Sequence, residues 1–400
     1  MKKIALKLFI VILISTVSIQ VFADNVCMRT GVVRQAIEQA AQKPCDQINS
    51  AVLASITGEI NLADSNINSL KSIDFQGLSG LTRLFLNRNN LYELPENIFQ
   101  DLASLEFLSL QLNRLNSFSE SIFKDLVALK YLEFSGNYIE TLPENIFTSL
   151  VKINYLEMSN CRLQQLSKDQ FKGLSELVYL DIGQNQFETL PAGLFQELGS
   201  VKELYLYNSN RLKSLPEGIF QGLTSLEYFN MESIKLKTLP KDVFKELVNL
   251  KWIDLSDGYL VYIGDDVFDG LISLESVDLS NNLIYNLSEG VFQGLAKLQR
   301  VELGGNELVQ LPEGLFQGLR SLKTIEIYRN QIKFLPDSIF QGLPALEYLH
   351  LEENDIKEVS KYVFSPRGFS SKASVGFRGN PLSRETAGLL QAQLGQRFYW

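Results

Sequence analysis

The sequence predicts an α/β solenoid: about thirteen stacked repeats, each giving one short strand to a parallel sheet, with a helical cap at either end. Three observations carry this. The chain aligns on itself with a period of 24 residues, which is the signature of a repeat architecture. Within each period leucines alternate with polar residues over about six positions, the period-2 pattern of a half-buried strand. Flanking segments lack the repeat and carry helical periodicity instead.

The repeat is clearest at residues 81–95, LTRLFLNRNNLYELP, followed by Phe99 and Leu102. Successive units begin at Thr57, Leu81, Leu105, Leu129, Ile153, Leu177, Val201, Leu226, Leu250, Leu274, Leu298, Leu322 and Leu346, and a partial unit carries Val375, Phe377, Asn380 and Leu382. The L-x-x-L-x-L stretch sends leucines inward and the residues between them outward. An asparagine column follows: Asn89, Asn113, Asn137, Asn185, Asn210, Asn282, Asn306, Asn330, Asn354 and Asn380. Its amides are placed to satisfy backbone groups of the neighbouring turn. Phenylalanine recurs in every unit, at Phe75, Phe99, Phe123, Phe147, Phe171, Phe195, Phe220, Phe244, Phe268, Phe292, Phe316, Phe340 and Phe364, and is read as an apolar spine rather than a cofactor box.

The resulting motif, L-x-x-L-x-L-x-x-N-x-L-x-x-L-P-x-x-x-F-x-x-L, resembles the "typical" extracellular leucine-rich-repeat class. Toll-like receptor ectodomains, variable lymphocyte receptors and many secreted bacterial surface proteins share it. The resemblance covers residues 57–382 and implies a leucine-rich-repeat horseshoe with the parallel sheet on its concave side. It says little about the ligand, because one scaffold hosts many partners.

Both ends look covered. A solenoid would otherwise expose its core there. Val32, Val33, Ala36, Ile37, Ala40 and Ala41 fall on one face of a helix predicted over residues 31–42. The segment CMRTGVVRQAI from Cys27 is similar to the amino-terminal cap of secreted bacterial repeat proteins, which implies a bacterial source. At the other end, Ala387, Leu389, Leu390, Ala392 and Leu394 predict an amphipathic helix within residues 384–396, and the final Phe398, Tyr399 and Trp400 are expected to pack on that cap.

The first residues predict export. Lys2, Lys3 and Lys7 flank an apolar run over residues 8–14 that continues to Val21, Phe22 and Ala23. This is the composition of a signal peptide cleaved near Ala23, and the run is short for a membrane span. Asp24, Asn25 and Val26 separate the cleavage point from Cys27, so no lipid anchor is expected. The expected organisation is residues 1–23 signal peptide, 24–56 cap, 57–369 repeats, and 370–400 partial repeat and second cap. In the oxidising compartment this implies, Cys27 and Cys45 bracket the first helix and are expected to form a disulfide.

Charge narrows the partner. Without the three lysines of the leader, the net charge of −9 becomes −12. Nucleic acid is disfavoured, since binding it needs cations that neutralise phosphates. A neutral or basic protein is the expected partner, without integral membrane insertion. No cofactor or metal site is expected, and no catalytic motif is visible. Cys161 occupies an asparagine position, and the single histidine, His350, lies nearly two hundred residues away. The abundant carboxylates raise a glycosidase-like pair as a possibility, yet a regular sheet offers no deep pocket to raise one pKa. Repeat proteins of this kind that are ubiquitin ligases carry a separate catalytic domain, and the 34 residues after Pro366 are too few for one.

The outward strand positions form columns. The third position reads Phe107, Tyr131, Tyr155, Tyr179, Glu203, Tyr228 and Trp252. The fifth reads Glu133, Glu157, Asp181, Tyr205, Asn230, Asp254, Asp278, Glu302 and Glu326. Consensus strand formers and solubilising groups would give the same columns, so the sequence alone leaves that reading beside the functional one, in which aromatics supply contacts and acids orient a basic partner.

Regularity also fails in three adjacent units. The unit from Val201 has 25 residues, the next has Ile234 at the ladder position, and the third has Gly258 there and Gly264 in place of proline. Tyr205, Tyr207, Tyr228, Trp252, Tyr259 and Tyr262 gather in this stretch, with Glu232 beside them. A binding site and a decayed repeat both fit, and residues 200–262 are where partner contacts are expected to concentrate. The expected function is protein binding on the sheet face, in adhesion or interaction with a host or neighbouring cell. The alternative is glycan binding, with sugars stacked on Tyr131, Tyr155, Tyr179, Tyr228 and Trp252.

Overall fold

The computed structural model describes residues 25–365 and 368–400, so the leader reading and Pro366 lie outside the described residues. The chain divides after Leu177 into two compact units. Both are coils of the same repeat, and each is built from parallel strands paired in chain order.

In the first unit, helix α1 (Gly31–Ala41) ends where Gln42 turns left-handed, and buries Val33 and Ile37. Helix α2 (Ser50–Ser55) follows, with Asn49 accepting from the Val52 amide at 3.0 Å. Strands β1 (Gly58–Asn61), β2 (Leu81–Phe85), β3 (Phe107–Ser109), β4 (Tyr131–Glu133) and β5 (Tyr155–Glu157) then pair in parallel, neighbour to neighbour. The Cys27–Cys45 disulfide is formed. A polar tie the sequence did not reveal also holds the cap. Arg29, 3% exposed, donates to the carbonyls of Asp74 (2.8 Å) and Gln76 (2.6 Å), while the Asp74 carboxylate accepts from the Thr30 amide and hydroxyl at 2.7 and 2.6 Å.

The second unit contains β6 (Tyr179–Asp181), β7 (Glu203–Tyr205), β8 (Tyr228–Asn230), β9 (Trp252–Asp254), β10 (Ser276–Asp278), β11 (Arg300–Glu302), β12 (Thr324–Glu326), β13 (Tyr348–His350) and β14 (Ser374–Gly376). Helix α3 (Arg384–Leu394) closes it, capped by the Ser383 hydroxyl and burying Ala387, Leu390 and Leu394. Here the expectation for the last aromatics is corrected. Phe398 and Tyr399 form β15, which pairs in parallel with β14 and extends the sheet, and Phe398 meets Phe377 edge-on at 5.9 Å. The reason is geometric: the turn after α3, with Gly395 at positive φ, returns the chain to the sheet edge.

Each three-residue strand buries its middle residue, and the rest of the core comes from the leucines, isoleucines and phenylalanines of the turns that follow. Asn89 shows how those turns are satisfied. Its amide oxygen accepts from the Ser65 and Ile67 amides (3.1 and 2.9 Å), and its NH2 donates to the Leu62 and Leu86 carbonyls (2.8 and 3.0 Å). Asn282, Asn306, Asn330 and Asn354 repeat the arrangement. Cys161 fills the same slot, buried, with its thiol donating to the Phe134 carbonyl at 3.2 Å. Asn210 is a correction: it is exposed, and Ser209 is the buried residue at that turn. The inserted residue of this unit shifts the asparagine out by one place, and the Ser209 hydroxyl is left without a partner.

The phenylalanine spine is present in both units. In the second it runs from Phe195 to Phe364 with successive rings 5.9–6.4 Å apart and within 18° of parallel. In the first, Phe118 and Phe134 join the row, meeting edge-on at 5.3 Å.

Candidate functional site

The sheet face of the first unit carries a row of rings. Phe85 and Phe107 lie 4.9 Å apart, Phe107 and Tyr131 6.2 Å, and Tyr131 and Tyr155 5.8 Å. Arg83 caps the row with its guanidinium 5.2 Å from the Phe85 ring and 4.9 Å from Phe107, a cation–π arrangement. Phe107, Tyr131 and Tyr155 are where the sequence placed them. Arg83 and Phe85 were missed, because their unit puts arginine in the third position and phenylalanine in the fifth. The signal was present in the motif at residues 81–95 but breaks both columns.

Beside the rings stand two carboxylates. Glu157 is held by Gln111 Nε2 (2.9 Å), the Ser135 hydroxyl (2.8 Å) and the Tyr155 hydroxyl (3.2 Å). Burial, reinforced by the negative charge of Glu157, raises the Glu133 pKa above the ordinary carboxylate value.

In the second unit, Tyr179 and Tyr205 lie 5.2 Å apart, and the Tyr205 hydroxyl donates to Glu203 at 3.0 Å. Burial, then that hydrogen bond to a carboxylate, pushes the Tyr205 phenol far above its usual value. Tyr228 and Trp252 stack at 4.5 Å with 22° between planes. Tyr207 lies across Gly183: a Cβ there would come within 2.5 Å of the ring, so the glycine is what seats the tyrosine. Gly304 seats Tyr328 in the same way. Tyr259 and Tyr262 fall past the ladder position and leave the sheet face. The Tyr262 hydroxyl donates to Asp265 instead, at 3.1 Å.

The acidic column is not uniform. Asp181 and Asp254 are 5% and 8% exposed, which corrects their placement among partner-facing residues. Asp181 accepts from the Gly183 amide at 2.8 Å, and Asp254 from the Ser256 amide and hydroxyl at 2.9 and 2.6 Å. Asn61, Asn230 and Asp278 make the same bond to the amide two residues on. A short side chain at the fifth position thus closes an Asx turn that ends the strand. The longer glutamates reach past the turn. Glu232 is half-buried, and burial followed by the charges of Asp254 and Asp257 raises its pKa. Farther along, Arg300 bridges Glu302 (2.5 Å) and Glu326 (2.6 Å), and His350 Nδ1 lies 3.1 Å from Glu352. Among the described residues no group of three or more histidine, cysteine or acidic side chains is arranged to hold a metal ion.

The leucine rich repeat pattern matches residues 58–115, 108–163, 157–209, 208–260, 249–308 and 296–356. The chain belongs to the leucine-rich repeat family. Among solved structures, this leucine-rich repeat protein is similar to a chain of the glycosylated Drosophila Toll–Spatzle complex, with TM-score 0.70 and 22% identity over 84% of this chain and 49% of that one. It thus spans about half the length of that chain. It is also similar to a Leptospira interrogans LRR protein (TM-score 0.62, 24% identity, 86% and 95% of the two chains) and to an internalin from Listeria monocytogenes (0.60, 19%, 92% and 93%). No curated protein sequence matches it significantly. At these identities the likeness is one of fold.

Proposed function

We propose that this leucine-rich repeat protein is an exported, non-catalytic module that holds a neutral or basic protein partner on its sheet face. The observation that carries the reading is the row of Phe85, Phe107, Tyr131 and Tyr155, bordered by Glu133 and Glu157. Tyrosine and tryptophan on a rigid strand supply contact area at low entropic cost, and adjacent carboxylates orient a cationic partner. Tyr205, Tyr207, Tyr228, Trp252 and Glu232 make a second contact cluster on the other unit, with Tyr179 at its edge.

Export is supported by the Cys27–Cys45 disulfide, which persists in an oxidising compartment. Among the described residues no helix is long and apolar enough to cross a membrane. The similar Drosophila chain belongs to a Toll–Spatzle complex, and a further similar fold to an LRIM1/APL1C complex. Those complexes give precedent for protein recognition on this scaffold.

Sugar stacking on these aromatics is the second reading: Tyr131 and Tyr228 are 44% and 42% exposed, and the Tyr228–Trp252 stack leaves one face of each ring open. The decisive experiment is crosslinking mass spectrometry of the purified chain in envelope or host extract, paired with the variants Tyr131→Ala/Tyr155→Ala and Tyr228→Ala/Trp252→Ala. Crosslinks should map to the sheet face and capture should fall in one or both variants. Unchanged capture in both, with crosslinks on the loops opposite the strands, would sink the proposal.

A further inference from the structure

The three irregular repeats do something besides gather aromatics. Past the ladder position, the turns at residues 210–215 and 235–240 form a groove of about 800 Å³ on the flank of the second unit, away from the sheet face. Arg211 and Lys213 come from one turn and Lys235 and Lys237 from the next, so that four cations form a two-by-two grid. The corresponding pairs in the preceding and following turns are Gln186 with Glu188, and Tyr259 with Val261. The grid stands out in a chain of net charge −9.

The inserted residue is what builds it. It moves Asn210 from the ladder to the surface, where it joins Ser214 and Thr238 on the rim. Leu212, Leu215, Leu239 and Pro240 make the floor. Glu188 is the one carboxylate in the lining, and Lys213 neutralises it at 2.6 Å. Lys235 lies 5.8 Å over the Tyr259 ring. Among the described residues Arg211 and Lys237 make no ion pair within 4 Å, and Glu188, which feels the Arg211 charge, is already bonded to Lys213, so both cations can meet a ligand.

From this arrangement we infer that the flank groove binds an acidic oligosaccharide. Carboxylate or sulfate groups of the sugar sit on Arg211, Lys235 and Lys237, because a guanidinium and ammoniums are the donors that recognise such anions. The ring hydroxyls face Asn210, Ser214 and Thr238. A volume of this size suits a ligand of several rings rather than a single ion. The neutral hydroxyl and amide rim favours a polyhydroxylated anion over an acidic peptide, which has few hydroxyls to match it. The site is independent of the sheet face, both in position and in the sign of its charge.

The test is titration of the purified chain with a heparin-derived hexasaccharide, with maltohexaose and hexaglutamate as comparison probes. The acidic sugar should bind saturably and weaken as salt rises, since exposed charges are screened. Maltohexaose should not bind, and hexaglutamate should bind at least about tenfold more weakly. Because each charge-assisted contact is worth about a factor of ten, Arg211→Glu with Lys237→Glu should weaken the sugar about a hundredfold. Both substituted side chains are exposed, and a lysine-acetylation footprint on the unaltered chain gives a reading that needs no variant. The bound sugar should protect Lys235 and Lys237 but not Lys333 and Lys357, which occupy the same column in later turns. Absence of binding, unchanged affinity in the double variant, absence of protection, or equal affinity for hexaglutamate would each overturn the inference.

Discussion

One methylene group separates the structural acids of the sheet face from the presenting ones. At the fifth strand position an aspartate folds back to the amide two residues on, as Asp254 does to Ser256, and is lost to any partner. A glutamate at the same position extends over the strand, as Glu133 and Glu157 do. Asp254→Ala should therefore cost about 1 kcal/mol in thermal or denaturant unfolding, the worth of a capping hydrogen bond, and leave partner capture unchanged. A loss of capture without loss of stability would contradict the assignment. Glu133 makes a second prediction, about pH. Its pKa is raised in the folded state, chiefly by burial, so the native chain holds that proton more tightly than the unfolded chain. The stabilisation is present below the ordinary carboxylate value and is lost as pH rises through the folded value. Glu133→Gln removes this dependence. Relative to the parent, the variant should gain thermal stability between pH 4 and pH 7, and a constant difference across that range would show that Glu133 is not desolvated.

At the scale of the repeat, each turn is satisfied by its neighbour, so a residue can be right for the column and wrong for the place. Gly258 stands at a ladder position, and restoring asparagine there would match the pattern. A Cβ at Gly258, however, would come within 2.7 Å of Asn282 Oδ1 and 3.0 Å of the Ile234 carbonyl. Gly258→Asn should consequently destabilise the chain by about 1–3 kcal/mol, the usual cost of overpacking. Urea unfolding that shows a gain would mean the turn can relax. This also marks how far the sequence could be read. Period and alternation located β3 to β13, the phenylalanine spine, both caps and the aromatic positions Phe107, Tyr131, Tyr155, Tyr228 and Trp252, because each depends on spacing alone. Side-chain direction was not legible: Asp181 and Asp254 looked identical in pattern to Glu133 and Glu157. Neither was the effect of one inserted residue, which decides between Ser209 and Asn210 only when the turn is built. The flank groove needs residues 24 places apart set side by side, and no motif announces it.

At the scale of the whole chain, a solenoid is nearly one-dimensional: a repeat touches the repeats beside it and little else. Stability is then lost from an end inward, and the covers at the ends matter more than their size suggests. The first cover is tied to the first repeat by two devices, the buried Val33 and Ile37 of α1 and the Arg29 and Asp74 hydrogen bonds, while the Cys27–Cys45 bridge staples the cover to itself. The bridge closes a loop of 18 residues, which the chain-entropy argument values at about 3 kcal/mol. Replacing both cysteines by serine should therefore lower the stability of the first unit by roughly that amount. Both ties to the repeat remain, so α1 should stay docked rather than detach. Hydrogen exchange by mass spectrometry distinguishes the outcomes. Amides of α1, β1 and β2 should exchange faster, those of β4 and β5 less so, and those from β10 to β14 at the parental rate. Uniform acceleration from α1 to β14 would mean that the chain opens as one cooperative block, and the nearest-neighbour account of its stability would fail.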